Sequence, residues 1–305
     1  MKLRYHVLCI FSVFAVLASC AFATDLSDER GAFAWPVIGA RAVSLGGAYT
    51  ALADGAEAVT WNPAGLMQVM APELSTMYKG VYELDAALAI INYALPVSEN
   101  FTFGAGIGNL DLSKVYGFTY TEKLYTGSLA WTLKMPFLQA TFLNDKFDLG
   151  SNVKYYASDT VTPNLRSKSR GFGVDVGIIY QPVKRLNLAY TVKDLMTNLT
   201  WKRTIDTVES KHREKIIPEH SFGLAWHVSP RTVFAYSQSW FGKAACDYHV
   251  GVEHRLDQQL AVRLGYNDGN LSAGIGLRKR SWQLDYCFMT HLLGDDQQLT
   301  FSIRL

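Results

Sequence analysis

The chain has 305 residues, a formal net charge of +2, 18% charged residues and 49% hydrophobic ones. A soluble enzyme of this length usually carries nearer a quarter charged residues, and the near-neutral balance leaves no basic surface for nucleic acid. Glycine (24), tyrosine (16), phenylalanine (16) and tryptophan (7) are plentiful. Beyond the N-terminus no run reaches the ~18 apolar residues of a spanning helix, so this composition points to a membrane barrel built of strands.

Residues 1–23 read as an export signal. Lys2 and Arg4 supply the positive start, Val7 to Ala18 is apolar but too short to span, and Ala21-Phe22-Ala23 fits cleavage before Thr24. Leu17-Ala18-Ser19-Cys20 also fits a lipobox, which would leave a lipidated Cys20. Both mature N-termini stay open, and either takes the chain out of the cytoplasm.

Residues 24–72 do not alternate. Gly31 to Leu66 is rich in Ala and Gly, with a short helical turn at Asp54 to Ala58 and a turn at Asn62-Pro63-Ala64-Gly65. A segment so apolar and small-residued suits the inside of a barrel, where its backbone can approach the wall.

Residues 73–305 alternate with period two. Phe172, Val174, Val176, Ile178 and Tyr180 oppose Gly173, Asp175 and Gly177; Leu260, Val262, Leu264 and Tyr266 oppose Arg263 and Gly265. The segments run to ~9–11 residues, the length that crosses a bilayer at a tilt, where sandwich strands are nearer 5–6. Tyr180, Tyr266, Trp282 and Phe288 fall toward segment ends, as an interfacial girdle requires.

Strands are expected near 73–80, 86–95, 100–110, 122–134, 146–157, 169–181, 184–193, 217–228, 231–240, 246–256, 258–266, 270–279, 281–290 and 297–305. The long connections 111–121, 158–168 and 194–216 all follow odd-numbered strands, and most connections after even-numbered strands are tight. That parity matches long external loops and short periplasmic turns, with both chain ends periplasmic. The connection 135–145 is longer than the pattern asks, so either a brief periplasmic helix or a misplaced strand boundary lies there. The expected fold class is all-β: a transmembrane antiparallel β-barrel of about 14 strands with an N-terminal plug, in the bacterial outer membrane.

The chemistry is sparse. No nucleophile–base pair and no spaced carboxylate dyad stands out, so no catalytic residue, metal ligand or cofactor is assigned. Gly104-Ala105-Gly106-Ile107-Gly108 is not a phosphate loop, because no helix follows it. The histidines lack metal-ligand spacing, and Cys246 and Cys287 fall on non-adjacent strands, which argues against a disulfide. Asp148, Lys154, Asp175, Arg185, Glu253, Arg255, Arg263, Arg278, Asp285 and Arg304 fall on inward faces, where they can pair with each other and with the plug.

Gly39-Ala40-Arg41-Ala42-Val43-Ser44-Leu45-Gly46-Gly47-Ala48-Tyr49-Thr50-Ala51-Leu52-Ala53-Asp54, followed by Trp61-Asn62-Pro63-Ala64-Gly65-Leu66, resembles the plug of FadL-like outer-membrane proteins. It looks most similar to the PorV/PorQ and uncharacterised spirochaete branches. Over the rest of the chain the resemblance is architectural. It implies Gly46, Gly47 and Asp54 as plug residues and passive uptake of hydrophobic, long-chain fatty-acid-like molecules. It further implies that Asn62-Pro63-Ala64-Gly65 lies beside a kinked third strand, which opens a lateral door into the bilayer. The third expected strand carries Gly104, Gly106 and Gly108 on one face, and glycine there marks a bend or a close backbone approach. The partners implied are the outer-membrane lipid bilayer and hydrophobic small molecules. The PorV/PorQ branch implies an alternative, a barrel serving protein secretion or surface attachment; a structural surface antigen is a third reading.

Overall fold

The computed structural model describes residues 33, 35, 38–80, 86–112, 118–135, 144, 146–242, 246–290 and 294–305. The export signal, Cys20, the first part of the 24–72 segment and most of the connection 135–145 lie outside the described residues.

Fifteen strands form one antiparallel sheet among the described residues. They are β1 (Glu73–Gly80), β2 (Ala87–Ser98), β3 (Phe101–Asp111), β4 (Thr119–Lys134), β5 (Lys146–Val161), β6 (Leu165–Val183), β7 (Leu186–Ile205) and β8 (Val208–Glu214), then β9 (Glu219–His227), β10 (Thr232–Phe241), β11 (Asp247–Arg255), β12 (Leu260–Asn267), β13 (Asn270–Lys279), β14 (Trp282–Met289) and β15 (Asp296–Arg304). β1 pairs with β15, from Glu73↔Arg304 to Lys79↔Gln298, so the sheet closes on itself. Closure leaves the wall without a free terminal strand, which a bilayer demands. Fourteen strands make the barrel wall. β8 stands apart, bonded only to the upper half of β7, while the lower half of β7 pairs with β9.

Two expected external loops are therefore strands. β5 and β6 continue through residues 158–168, and residues 194–216 hold the upper half of β7 with β8. The apolar face stops at Phe172, but alternation continues as Arg170, Lys168 and Arg166 outward against Ser169 and Ser167 inward. A search for apolar alternation ends at the membrane edge, whereas the hydrogen-bonded ladder does not.

Outside, the wall presents apolar residues to lipid: Phe103, Ile107, Val153, Phe172, Leu264 and Leu271 are all exposed. Aromatic rings rim the belt. Tyr155 packs on Phe172 at 5.1 Å and on Tyr125 at 6.2 Å near the outer edge, and Phe147 stacks on Tyr180 at 4.2 Å near the periplasmic edge. Cys246 and Cys287 are buried and form no disulfide with one another.

The core lies inside the barrel and comes largely from the plug. The segment from Ile38 onward makes a short helix α1 (Ala40–Ser44), a second α2 (Ala58–Trp61) and a 3-10 turn (Pro63–Gln68). Ala42, Leu45, Ala48, Tyr49, Ala56, Val59, Ala64 and Leu66 are buried among them. The plug backbone lies directly on the wall. A Cβ added at Gly265 of β12 would sit 2.1 Å from the Gly46 nitrogen, and one at Gly150 of β5 would sit 2.2 Å from the Pro63 carbonyl carbon. Gly46 also holds a positive φ of 67° against the Tyr266 backbone, a conformation that suits glycine.

Gly265→Val should therefore destabilise the barrel by at least about 1–3 kcal/mol, the usual cost of overpacking. Gly127→Val, with nothing within 4 Å of the added Cβ, should be tolerated. The temperature at which folded barrel converts to unfolded mobility on a cold gel checks both.

Candidate transport site

The plug is bonded to the wall around its circumference. Gly39 N donates to Gln298 Oε1 and Ala40 N to Thr300 Oγ1, both at 2.9 Å, which ties α1 to β15. Gly46 N donates to Ser272 Oγ at 3.1 Å, and the Gly46 carbonyl accepts from His249 Nδ1 at 2.9 Å. On the opposite side, Asn152 Nδ2 donates to the Val59 carbonyl at 2.9 Å. Buried backbone groups need such partners, since leaving one unmade costs about 1–3 kcal/mol.

A chain of buried charges runs from plug to wall. Arg41 Nε meets Glu253 Oε2 at 2.9 Å, Arg263 Nε meets the same oxygen at 2.7 Å, and Arg263 Nη1 reaches Asp285 Oδ1 at 2.8 Å. Arg41 Nη1 also meets Asp54 Oδ1 at 2.6 Å. Burial disfavours the charged guanidinium of Arg41, but Asp54 and Glu253 outweigh it and hold its pKa above the usual value. Glu253, Arg263 and Asp285 were read as inward-facing from the alternation. Arg41 was not singled out, although it is the sole charge between Gly31 and Ala53, which was a signal for a partner on the wall.

The plug turn packs on several strands of the wall, β3 among them. The side chain of Asn62 is buried; its Nδ2 donates to the Thr50 carbonyl at 3.0 Å and its Oδ1 accepts from Ala64 N at 3.2 Å. Pro63 and Ala64 lie against Gly150 of β5, Asn62 lies against Gly177 of β6, and Gly65 backs onto the Ala53 carbonyl. Gly104 faces Leu66 and Val59, Gly106 faces Val59 and Asn92, and Gly108 faces Trp35. Asn62, Pro63 and Ala64 thus lie against wall glycines of β5 and β6, while Leu66, one residue past the turn, lies against Gly104 of β3. β3 also pairs without interruption from Phe101 to Asp111 with β4, and its one irregularity with β2 lies at Pro96/Ser98 near the periplasmic turn.

The wall is irregular elsewhere. Between β6 and β7 the register jumps from Val174↔Met196 to Val176↔Val192, so Asp175 alone opposes Lys193, Asp194 and Leu195. Asp194 takes a positive φ of 57°. Its other edge is open too, because β7 leaves β9 after Lys193 and joins β8 only at Leu199. Buried polar groups hold this bulge. Lys154 Nζ meets Asp175 at 2.7 Å and Asp194 at 2.8 Å, Asp194 N donates to Asp175 Oδ1 at 2.9 Å, and the Tyr156 hydroxyl donates to Asp194. Asn152, already bonded to the plug, donates to Asp175 Oδ2 at 2.9 Å. Plug and bulge share that one amide. The turn at Asn62 sits close below, since Gly177 is two residues from Asp175 on the same face.

The plug separates two cavities. The outer one, about 780 Å³, has an apolar side formed by Trp35, Leu88, Ile90, Leu110 and Leu124 above the β3 glycines. Its polar side carries Lys154, Asp175, Lys193, Asp194 and Glu219, and so reaches the bulge. The periplasmic one, about 340 Å³, is lined by Arg41, Asp54, Glu57, Arg255 and Arg278 among others. In the plug, Glu57 is pushed up to about 8 by burial and by Asp285, Asp54 and Glu73, against the pull of Arg41.

No family model matches the sequence, and no curated protein aligns with it significantly. Solved structures do share its shape. A FadL homologue from Pseudomonas aeruginosa superposes with a TM-score of 0.62 at 13% identity, over 88% of this chain and 98% of that one. The P. putida toluene transporter TodX gives 0.57 at 11%, over 88% and 98%. The CymD monoaromatic hydrocarbon channel gives 0.57 at 12%, over 87% and 96%. This is a FadL-like fold. A closed barrel of this fold, with an apolar belt and aromatic rims, belongs in the bacterial outer membrane.

Two measurements probe how the FadL-like plug is held. Glu253→Gln removes the carboxylate that Arg41 and Arg263 share, and stripping one partner from a buried ion pair costs about 3–5 kcal/mol. Its unfolding midpoint in urea should drop accordingly, and a cysteine placed at buried Ser44 should become reactive to maleimide. Glu57 has a folded pKa raised to about 8 from 4.5, so its contribution is full at low pH and is lost as pH rises through about 8. The wild-type midpoint should fall more steeply between about pH 5 and pH 9 than that of Glu57→Gln.

Proposed function

We propose that the protein is a passive channel for hydrophobic small molecules across the outer membrane. The outer cavity carries this reading. At about 780 Å³ it lies within the size range of ligand pockets. One side is apolar, the floor is plug, and the far side ends at a break in the wall. The names of TodX and CymD, a toluene transporter and a monoaromatic hydrocarbon channel, lend the reading its substrate class.

The mechanism is partition. A buried methylene gains about 0.8 kcal/mol over water, so an apolar solute collects beside Trp35 and Leu88. Lys193, whose ammonium lies 5.2 Å from the centre of the Trp61 ring, suits the carboxylate of a long-chain fatty-acid-like solute. The plug closes the straight path, and the exit is sideways. In this reading the door lies at the β6–β7 bulge. Gly104, Gly106 and Gly108 shape the cavity beside the plug, and Asn62-Pro63-Ala64-Gly65 supports the wall beneath the bulge. Asn152 couples a shift of the plug to Asp175. The alternative of a barrel for secreted proteins, or of a surface antigen, draws no support from the cavity or from the named structures.

The test uses bacterial cells that lack their own hydrophobic-solute channels and express this barrel. They should take up a labelled long-chain fatty acid or toluene faster than empty-vector cells. Val174→Cys with Met196→Cys, which are register partners, should cut that uptake at least tenfold when oxidised and recover it on reduction. No gain over empty-vector cells would defeat the channel. Full uptake in the oxidised pair would defeat the β6–β7 exit alone.

A further inference from the structure

Above the membrane belt, the outer ends of β5, β6, β7 and β8 continue as one sheet. Directly opposed residues share a face, and the register sets Lys168 opposite Lys202 and Lys202 opposite Lys211. On the same face Arg170 and Arg213 flank Thr200, and Arg166 lies opposite Thr204. All six cations are exposed. The face carries two acids. Asp159 meets Lys168 at 3.2 Å, and Glu209 lies opposite Thr204. The reverse face is different: Ser167, Ser169, Leu199 and Trp201 are buried.

Like charges placed directly opposite destabilise a sheet, and here three lysines stand in one row across three strands. Asp159 offsets only the Lys168 end of that row, and an anion lying against Lys202 and Lys211 would offset the rest. The face also has a definite height. It continues the lipid-facing row of Phe172 and Val174, so Arg170 lies about 7 Å and Lys168 about 14 Å along the strand beyond Phe172. A headgroup layer adds roughly 5–8 Å to each side of the hydrocarbon core, and strand tilt shortens the rise. The cations point away from the lumen, so a solute in the cavity does not meet them.

We propose that this cationic face docks on the net-anionic, phosphate-bearing headgroups of lipids in the outer leaflet beside the barrel. The full-length protein, reconstituted in phosphatidylcholine vesicles with and without phosphatidylglycerol, tests it. The wild-type unfolding midpoint should rise when phosphatidylglycerol is present, and molar salt should abolish the rise. Native mass spectrometry should show phosphatidylglycerol retained in preference to phosphatidylcholine. The variant Lys168→Gln/Lys202→Gln/Lys211→Gln should lose the rise and retain several-fold less anionic lipid. In pure phosphatidylcholine it should be as stable as wild type or more so, because the repelling row is gone. If that variant fails to fold, Lys202→Gln alone makes the same comparison. An equal rise in variant and wild type would overturn the proposal, as would no rise in wild type. So would the same rise from inorganic phosphate added to pure phosphatidylcholine vesicles, since the partner would then be a free anion.

Discussion

Arg41 reaches out of the plug to Glu253 at 2.9 Å, and Arg263 reaches the same oxygen from the neighbouring strand at 2.7 Å. Water is largely excluded from this contact, so the charges depend on one another. Removing any one strands its partners in a place that solvates ions poorly. The wall residues around them can point inward as charges only because the plug brings an arginine to meet them. The plug keeps its angle in the lumen because that arginine has one place to go. Both cavities inherit their shape from this fit, as does the contact of Asn62 with β6.

The period of two and the parity of loop lengths were enough to show a closed barrel of about fourteen strands, because a lipid-facing wall must alternate. Of the Ala- and Gly-rich run from Gly31 to Leu66, the part from Ile38 onward is mostly buried against the wall. Other features were hidden for physical reasons. Residues 158–168 and 194–216 looked like loops because the outward face of β5 to β8 turns charged there and the apolar residues of the other face, Leu199 and Trp201, are too few to show a period. The seat of Asn62 on β6 depends on which glycines face which part of the plug. Gly104, Gly150 and Gly177 all read alike in sequence, and only the register separates them. The bulge opposite Asp175 was invisible because the expected strand ends at Lys193, so Asp194 and Leu195 read as the start of a loop.

The bulge and the plug bear on the same question from two sides. A barrel wall bonded on every edge has no natural exit, and a plugged lumen has no straight one. The β6–β7 seam is where hydrogen bonding between strands gives way to a small cluster of side chains, Lys154, Asp175, Asp194 and Tyr156. Side chains rearrange faster and more locally than a ladder of backbone bonds. Asn152 touches both cluster and plug, so the state of one is felt by the other without any movement of the rest of the wall.

The glycines at 150, 177 and 265 have a consequence beyond packing. Plug and wall occupy one shared volume, and at these points neither has any to spare. A methyl group gained on the wall has to be matched by a retreat of the plug at the facing residue. The interior of this barrel is thus one joint surface, in which a change of volume on either side is felt on the other.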